Sequence, residues 1–230
     1  MAKRAGSETL AMSVYEELRF GILSGRLKPG ERLRPTELSG QFGVGLGVMR
    51  EAIGLLAAKD LVRIDRNRGC HVMSLSLEAL THLNAARKIT EGAALRMSVE
   101  RGGLTWESEL IAAHYRMASL PIYLPDDPTV RSEEWALAHM DFHHRLIAAC
   151  GNPVLLDICA RLTDSGEVYR AWSGPGSRER DITAEHKELL DAALAHDAGL
   201  AVRLLEAHID RTQTILAAST LAADQPPAEA

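Results

Sequence analysis

The sequence predicts a mainly α-helical protein in two parts: a small N-terminal unit of three helices and a β-hairpin, then an antiparallel bundle of about six helices. Three observations predict this. Apolar residues recur at helical spacing over most of the 230 residues. Strand-like runs are confined to one stretch, LVRIDRNRGCHVMSL at 61–75. Charge divides at the same place, with 12 Lys and Arg against 8 Asp and Glu in residues 1–75, and 14 against 23 in the remainder. A basic front on a chain of net charge −5 suggests a polyanionic partner for that part.

Taken in order, Val14, Leu18, Ile22 and Leu23 lie on one helical face from Met12 to Ser24, and Gly25 ends the run. Pro29-Gly30 in LKPGERL stops the helix and reverses the chain. Thr36 reads as the N-cap of a short helix, TELSGQFG, closed by Gly43. A third helix from Gly47 to Lys59 has a broad apolar face of Val48, Met49, Ala52, Ile53, Leu55 and Leu56. Leu61–Ile64 and Cys70–Met73 then flank a charged tip bearing Gly69, which is a hairpin signature. Three helices and a basic hairpin make a winged helix-turn-helix, a unit that lays its third helix in the DNA major groove.

Beyond Leu75 the predicted helices are Leu77–Arg101, Thr105–Ser119, Pro128–Cys150, Pro153–Ala171, Asp181–His196 and Ala198–Ala218. Short connections imply a bundle around its own core. The division is therefore 1–75, 76–220 and a disordered tail, 221–230, whose ADQPPAEA cannot support a packed core. No run reaches the ~18 apolar residues of a membrane span and no signal peptide opens the chain, so a cytoplasmic location is expected. Cys70, Cys150 and Cys159 lack the paired spacing of a metal knuckle and read as buried thiols.

Histidine carries the chemical signal. Three of the nine fall within HMDFHH, and His139 and His143, four apart, leave one helix face together. Asp141 lies about 200° from His139 around the helix and is not a companion. His186 and His208 stand about eleven residues on either side of the break HDAG at 196–199. Each is therefore about 16 Å from the turn, at one height in an antiparallel pair. Four imidazoles aimed at one point would suit zinc, nickel or ferrous iron. Arg87 and Glu91, four apart, form either a surface ion pair or part of a ligand site.

The N-terminal part resembles the DNA-binding domain of GntR-type bacterial transcription regulators, through LRFGILSGRLKPGERL, VMREAIGLLAAKDLV and RNRGCHV. The second part resembles the all-helical FCD ligand-binding domain of their FadR-like members, through ARKITEGAAL at 86–95, FHHRLIAACGN at 142–152, EHKELLDAALAHD at 185–197, and His208. The resemblance implies a homodimeric regulator, usually a repressor, on a palindromic double-stranded DNA operator. It also implies a divalent metal on His139, His143, His186 and His208, and a small organic or sugar acid as effector, clamped by Arg87 with Glu91 beside it. DNA contacts would fall to Arg32, Arg34, Gly45, Gly47, Arg50, Arg63, Arg66, Arg68 and Gly69.

Two departures stand out. His139 replaces the usual Asp ligand, which removes a negative charge and favours softer ions, zinc first. VGLGVMREA at 44–52 lacks the Ser, Arg and Thr that usually open the recognition helix, leaving backbone donors at Gly45 and Gly47. The alternatives are a degenerate regulator with weakened DNA binding, and a metal-dependent hydrolase or lyase. Four protein ligands leave little room for a catalytic water, and no carboxylate is evidently placed as a base.

Overall fold

A computed structural model describes residues 2–65, 69–127, 131–172 and 181–223. The chain divides into two compact units, Met1–Ser76 and Leu77–Ala230.

The first unit contains α1 (Ala2–Leu23), β1 (Arg32–Leu33), α2 (Pro35–Gln41), α3 (Leu46–Ala58), β2 (Val62–Asp65) and β3 (Gly69–Val72). Leu18, Ile22, Leu33, Met49, Ile53, Leu56, Leu61 and Val72 are its main buried residues. The hairpin is antiparallel, with Val62 opposite Val72 and Asp65 opposite Gly69. A third strand joins it, since Arg32 pairs with His71 and Leu33 with Cys70, giving the order β1-β3-β2. That two-residue strand is too short to show periodicity in sequence.

The N-cap of α2 is Arg34 rather than Thr36, and no side chain caps it. Pro35 supplies the helical φ at the first position instead, where its missing N–H costs nothing. Gly43, at φ +62, makes the left-handed step between α2 and α3. Helix α1 begins ten residues before the predicted start, and α3 begins one residue early. Arg66 and Arg68 lie outside the described residues.

The second unit holds α4 (Leu77–Arg101), α5 (Leu104–Ala118), α6 (Glu133–Ile147), a 3-10 turn at Ala148–Cys150, α7 (Pro153–Trp172), α8 (Ile182–Leu194) and α9 (Ala198–Ala223). Helix α4 packs on α7 and α9, α5 on α6 and α8, and α8 on α9. Leu95, Val99, Leu110, Phe142, Leu146, Leu189, Leu205 and Ile209 fill the core. Helix α6 begins at Glu133, not Pro128, because Ser132 caps it by accepting from the Trp135 amide. Helix α9 continues five residues past Ala218, and 224–230, most of the expected tail, lie outside the described residues. Cys150 and Cys159 are buried free thiols, whereas Cys70 on β3 is only half-buried. Among the described residues no helix is long and apolar enough to cross a membrane.

Candidate functional site

Helix α6 is built to hold an imidazole face steady. Ser132 caps it, Glu133 and Glu134 sit in its first turn, and His144 and Arg145 in its last, all in favourable relation to the helix dipole. Asp141 faces away and pairs with Arg116 at 2.7 Å and Arg145 at 3.3 Å, as the angle argument requires. The inward face carries His139 and His143 into the bundle, where α8 supplies His186 and α9 supplies His208. All four are buried, and one ligand atom from each lies within 4.8 Å of the others.

The corner between α8 and α9 sets the register of the last two. His196 adopts a left-handed φ of +54 there. Its Nδ1 lies 2.7 Å from the Val99 carbonyl and its Nε2 3.0 Å from a Glu107 carboxylate oxygen. These contacts raise its pKa, the Val99 carbonyl most. The Asp197 carboxylate then caps α9 by accepting from the Leu200 amide at 2.8 Å.

Outer contacts fix which nitrogens are available. His186 Nδ1 is 2.6 Å from the Ile182 carbonyl, and His208 Nδ1 is 2.9 Å from a Glu185 carboxylate oxygen. Both partners only accept, so both Nδ1 atoms carry hydrogen and both Nε2 atoms present lone pairs. Glu185 is itself held by Arg211, a carboxylate–imidazole relay of the kind that orients metal-ligating histidines.

His143 Nε2 lies 3.2 Å from the Nε2 atoms of both His139 and His186. One proton can satisfy only one of these contacts, so at least one brings two buried nitrogens together without a hydrogen bond. A divalent ion that takes the lone pairs removes that strain. Burial first, and then the neighbouring imidazoles, hold the pKa values of His139 and His143 well below the usual 6.5, so both are neutral donors at pH 7. Four buried imidazoles whose ligand atoms share this span fit a first-row transition ion.

Helix α7 lines the site with residues that spacing in α6, α8 and α9 does not reveal. Thr163, Gly166, Glu167 and Arg170 recur at i, i+3, i+4 and i+7, and all four are buried. That polar stripe, on a helix destined for burial, is the signal by which they could be found. Glu167 Oε1 is 3.6 Å from His139 Nδ1, an atom with no hydrogen-bond partner among the described residues. Glu167 also bonds Arg170 Nε at 2.6 Å. Burial pushes the Glu167 carboxyl up to about 8. Trp135 stacks on His139 at 4.8 Å, and the Arg170 guanidinium lies 5.4 Å from the Trp135 ring centre.

Arg87 and Glu91 form a buried pair rather than a surface one. Arg87 Nε donates to Glu91 Oε1 at 2.6 Å and Nη2 to Oε2 at 3.3 Å, while the Thr163 hydroxyl donates to Oε1 at 3.1 Å. Arg87, Glu167 and Arg170 line a cavity of about 10 Å³ beside His139, His143 and His208.

The floor of the chamber is Gly166, where an added Cβ would sit 2.5 Å from Arg87 Nη1 and 3.0 Å from its Cζ. Gly-to-Ala within an open helix position stabilises by about 1 kcal/mol. At Gly166 the sign should reverse, with a net loss of roughly 1–3 kcal/mol from overpacking. Urea unfolding of Gly166→Ala checks this, with Gly54→Ala, whose Cβ meets open space, as the control that should gain stability.

In the first unit, α3 presents Gly47, Arg50, Glu51 and Gly54 on its exposed face. Gly45 is its N-cap and offers no side-chain bond. Arg34 is engaged by Glu37 at 2.8 Å. The Arg32 guanidinium runs along Gly69, which has φ +84, and Arg63 is exposed on β2.

Comparison with known proteins places both units. Residues 10–72 match the family described as bacterial regulatory proteins, gntR family, and residues 82–211 match the FCD domain. The chain is 34% identical over 213 residues to the HTH-type transcriptional regulator BphR of Paraburkholderia xenovorans, covering 92% of this chain and 87% of that one. It is 30% identical to the HTH-type transcriptional repressor GlaR of Escherichia coli, over 85% and 90% of the two chains. The solved structure of E. coli McbR/YncC has the same fold, with a TM-score of 0.77 at 20% identity over 92% of this chain and 98% of that one. These families and relatives are transcription regulators, not enzymes. The chain belongs to the GntR family and is a DNA-binding transcription regulator with an FCD domain as its helical unit.

Proposed function

We propose that the helical unit binds a divalent transition ion on His139, His143, His186 and His208, and that this chamber controls operator affinity. Zinc suits an all-nitrogen buried donor set best, with nickel and iron as the other ions such a set takes. The carrying observation is the pair of 3.2 Å contacts at His143 Nε2, which crowds three imidazole nitrogens in a buried space where one proton cannot satisfy both contacts. Four neutral ligands leave the ion's double positive charge uncompensated, so the loaded chamber attracts an anion. A small organic or sugar acid is the effector this favours. Arg87, with Glu91 beside it, would be one of the cations that hold its carboxylate.

The regulator would act as a repressor and a homodimer, because one winged unit reads only a half-site of a palindromic operator. Acid binding would shift the population between arrangements of the reading heads that differ in operator affinity. Arg50 is the cation on the exposed face of α3, with Arg32, Arg34, Arg63, Arg66, Arg68 and the backbone at Gly45, Gly47 and Gly69 contributing phosphate contacts.

The test is fluorescence anisotropy of the full chain on the DNA upstream of its own coding region, with zinc-loaded and chelator-stripped protein. Salt-dependent binding that a small acid weakens only in the loaded form is expected. Arg50→Ala should cost about 1–3 kcal/mol of specific binding, a factor of roughly 5 to 150. Binding of Arg50→Ala indistinguishable from the parent would point to the degenerate regulator.

A further inference from the structure

The chamber beside the four histidines is already filled by two acid–guanidinium pairs. Arg87 is taken by Glu91, and Arg170 by Glu167. All four side chains are at least about nine-tenths buried. The remaining cavity of about 10 Å³ has room for no more than one water. Even the smallest carboxylic acid is larger, so a wall must move before one enters.

The walls are not equally fixed. His186 and His208 are held by their outer hydrogen bonds. Arg87 is pressed against the Gly166 backbone, and its partner Glu91 is tied to both Arg87 and Thr163. The Glu167–Arg170 pair, also one turn apart on a single helix, is held at one oxygen only: both Arg170 nitrogens reach Glu167 Oε2, while Oε1 meets His139 Nδ1 at 3.6 Å, beyond hydrogen-bond range. Rotation of their own torsions moves them without moving a backbone. Arg170 stacks on one ring, Trp135, which also carries Arg131 at 5.6 Å, a second cation near enough to receive a displaced Glu167.

We infer that Glu167 is a built-in competitor for the effector: its carboxyl group occupies Arg170 in the resting chain, and an incoming carboxylate takes that guanidinium as Glu167 swings toward Arg131. Like replaces like, so no buried guanidinium is left unpaired, which is the costly event in such surroundings. The effector class is then a compact carboxylate that presents one such group to Arg170 beside the ion. Its affinity is set by how firmly Glu167 holds. This inference rests on the ion-binding reading above.

Calorimetric titration of the zinc-loaded full chain with acetate, the smallest suitable probe after formate, tests it. Glu167→Ala removes the competitor and opens space, and should bind acetate at least about tenfold more tightly than the parent. Glu167→Gln keeps the volume and part of the hydrogen bonding, and should fall between. It also serves if the alanine variant fails to fold. Adding Arg170→Ala to either variant should abolish the gain. Equal acetate affinity in parent and Glu167 variants, or a gain that survives Arg170→Ala, would overturn the competitor role. Zinc content, measured separately by atomic emission, tells that failure from the other: parent chain without zinc sinks the ion reading and this inference together.

Discussion

Replacing His143 with alanine is expected to weaken zinc binding by about two to three orders of magnitude. His143 Nε2 is the atom on which two other ligand nitrogens converge, so its removal takes the centre out of the donor set. Four-ligand zinc sites bind with ~10–16 kcal/mol, and a lost ligand removes roughly a quarter of that, or a factor of about 100 to 1,000 in affinity. Competition against a chromophoric chelator measures it. Retained parental affinity in His143→Ala would show that the ion sits elsewhere.

The same residues make the metal-free chain acid-sensitive. His139 and His143 titrate well below 6.5 when folded, chiefly because burial disfavours their charged forms, and near 6.5 when unfolded. The unfolded chain therefore binds more protons as pH falls through 6.5, and stability falls with it, by up to about 1.4 kcal/mol per histidine per pH unit. Melting of the stripped protein between pH 5 and 7.5 should show this loss, with a shallower slope in His143→Ala. Zinc loading requires the neutral imidazoles, so added zinc should restore stability less at pH 5 than at pH 7.

Glu91→Ala should cause the greatest loss of stability, about 3–5 kcal/mol, because it strands the Arg87 guanidinium in a buried space and deprives the Thr163 hydroxyl of its acceptor. The charge is what matters, not the helix contact. Replacing both partners with apolar residues of similar size, Arg87→Met with Glu91→Leu, should recover most of the loss. If the double variant is as unstable as Glu91→Ala alone, the damage lies in packing. Chemical unfolding of the three chains in one buffer separates the cases.

Four-residue spacing and the equal distances of His186 and His208 from one turn made the imidazole cluster legible in the sequence, because helix geometry converts counts into heights and angles. The six bundle helices were legible for the same reason. What escaped were features that depend on partners far along the chain. Strand β1 exists only because Arg32 and Leu33 meet His71 and Cys70. The Thr163, Gly166, Glu167 and Arg170 stripe looks like an ordinary solvated face until α4 and α6 cover it. Arg87 and Glu91 had two readings open, and burial settles their pairing, since an i, i+4 pair looks alike inside and outside. The cap of α2 was misplaced because Thr36 is a good capping residue, whereas Pro35 starts the helix without one.

The left-handed His196 also limits what lengths this protein can tolerate. Each residue added to a helix turns everything beyond it by about 100° and lifts it by about 1.5 Å. An insertion between α5 and α6 can be absorbed in loop. One at the α8–α9 bend has no such slack, because the His196 ring is moored to two other helices and Asp197 fixes where the next begins. A single extra residue there would swing His208 out of the cluster, so drift in chain length among descendants of this gene should collect in connections such as that between α5 and α6 and spare that bend.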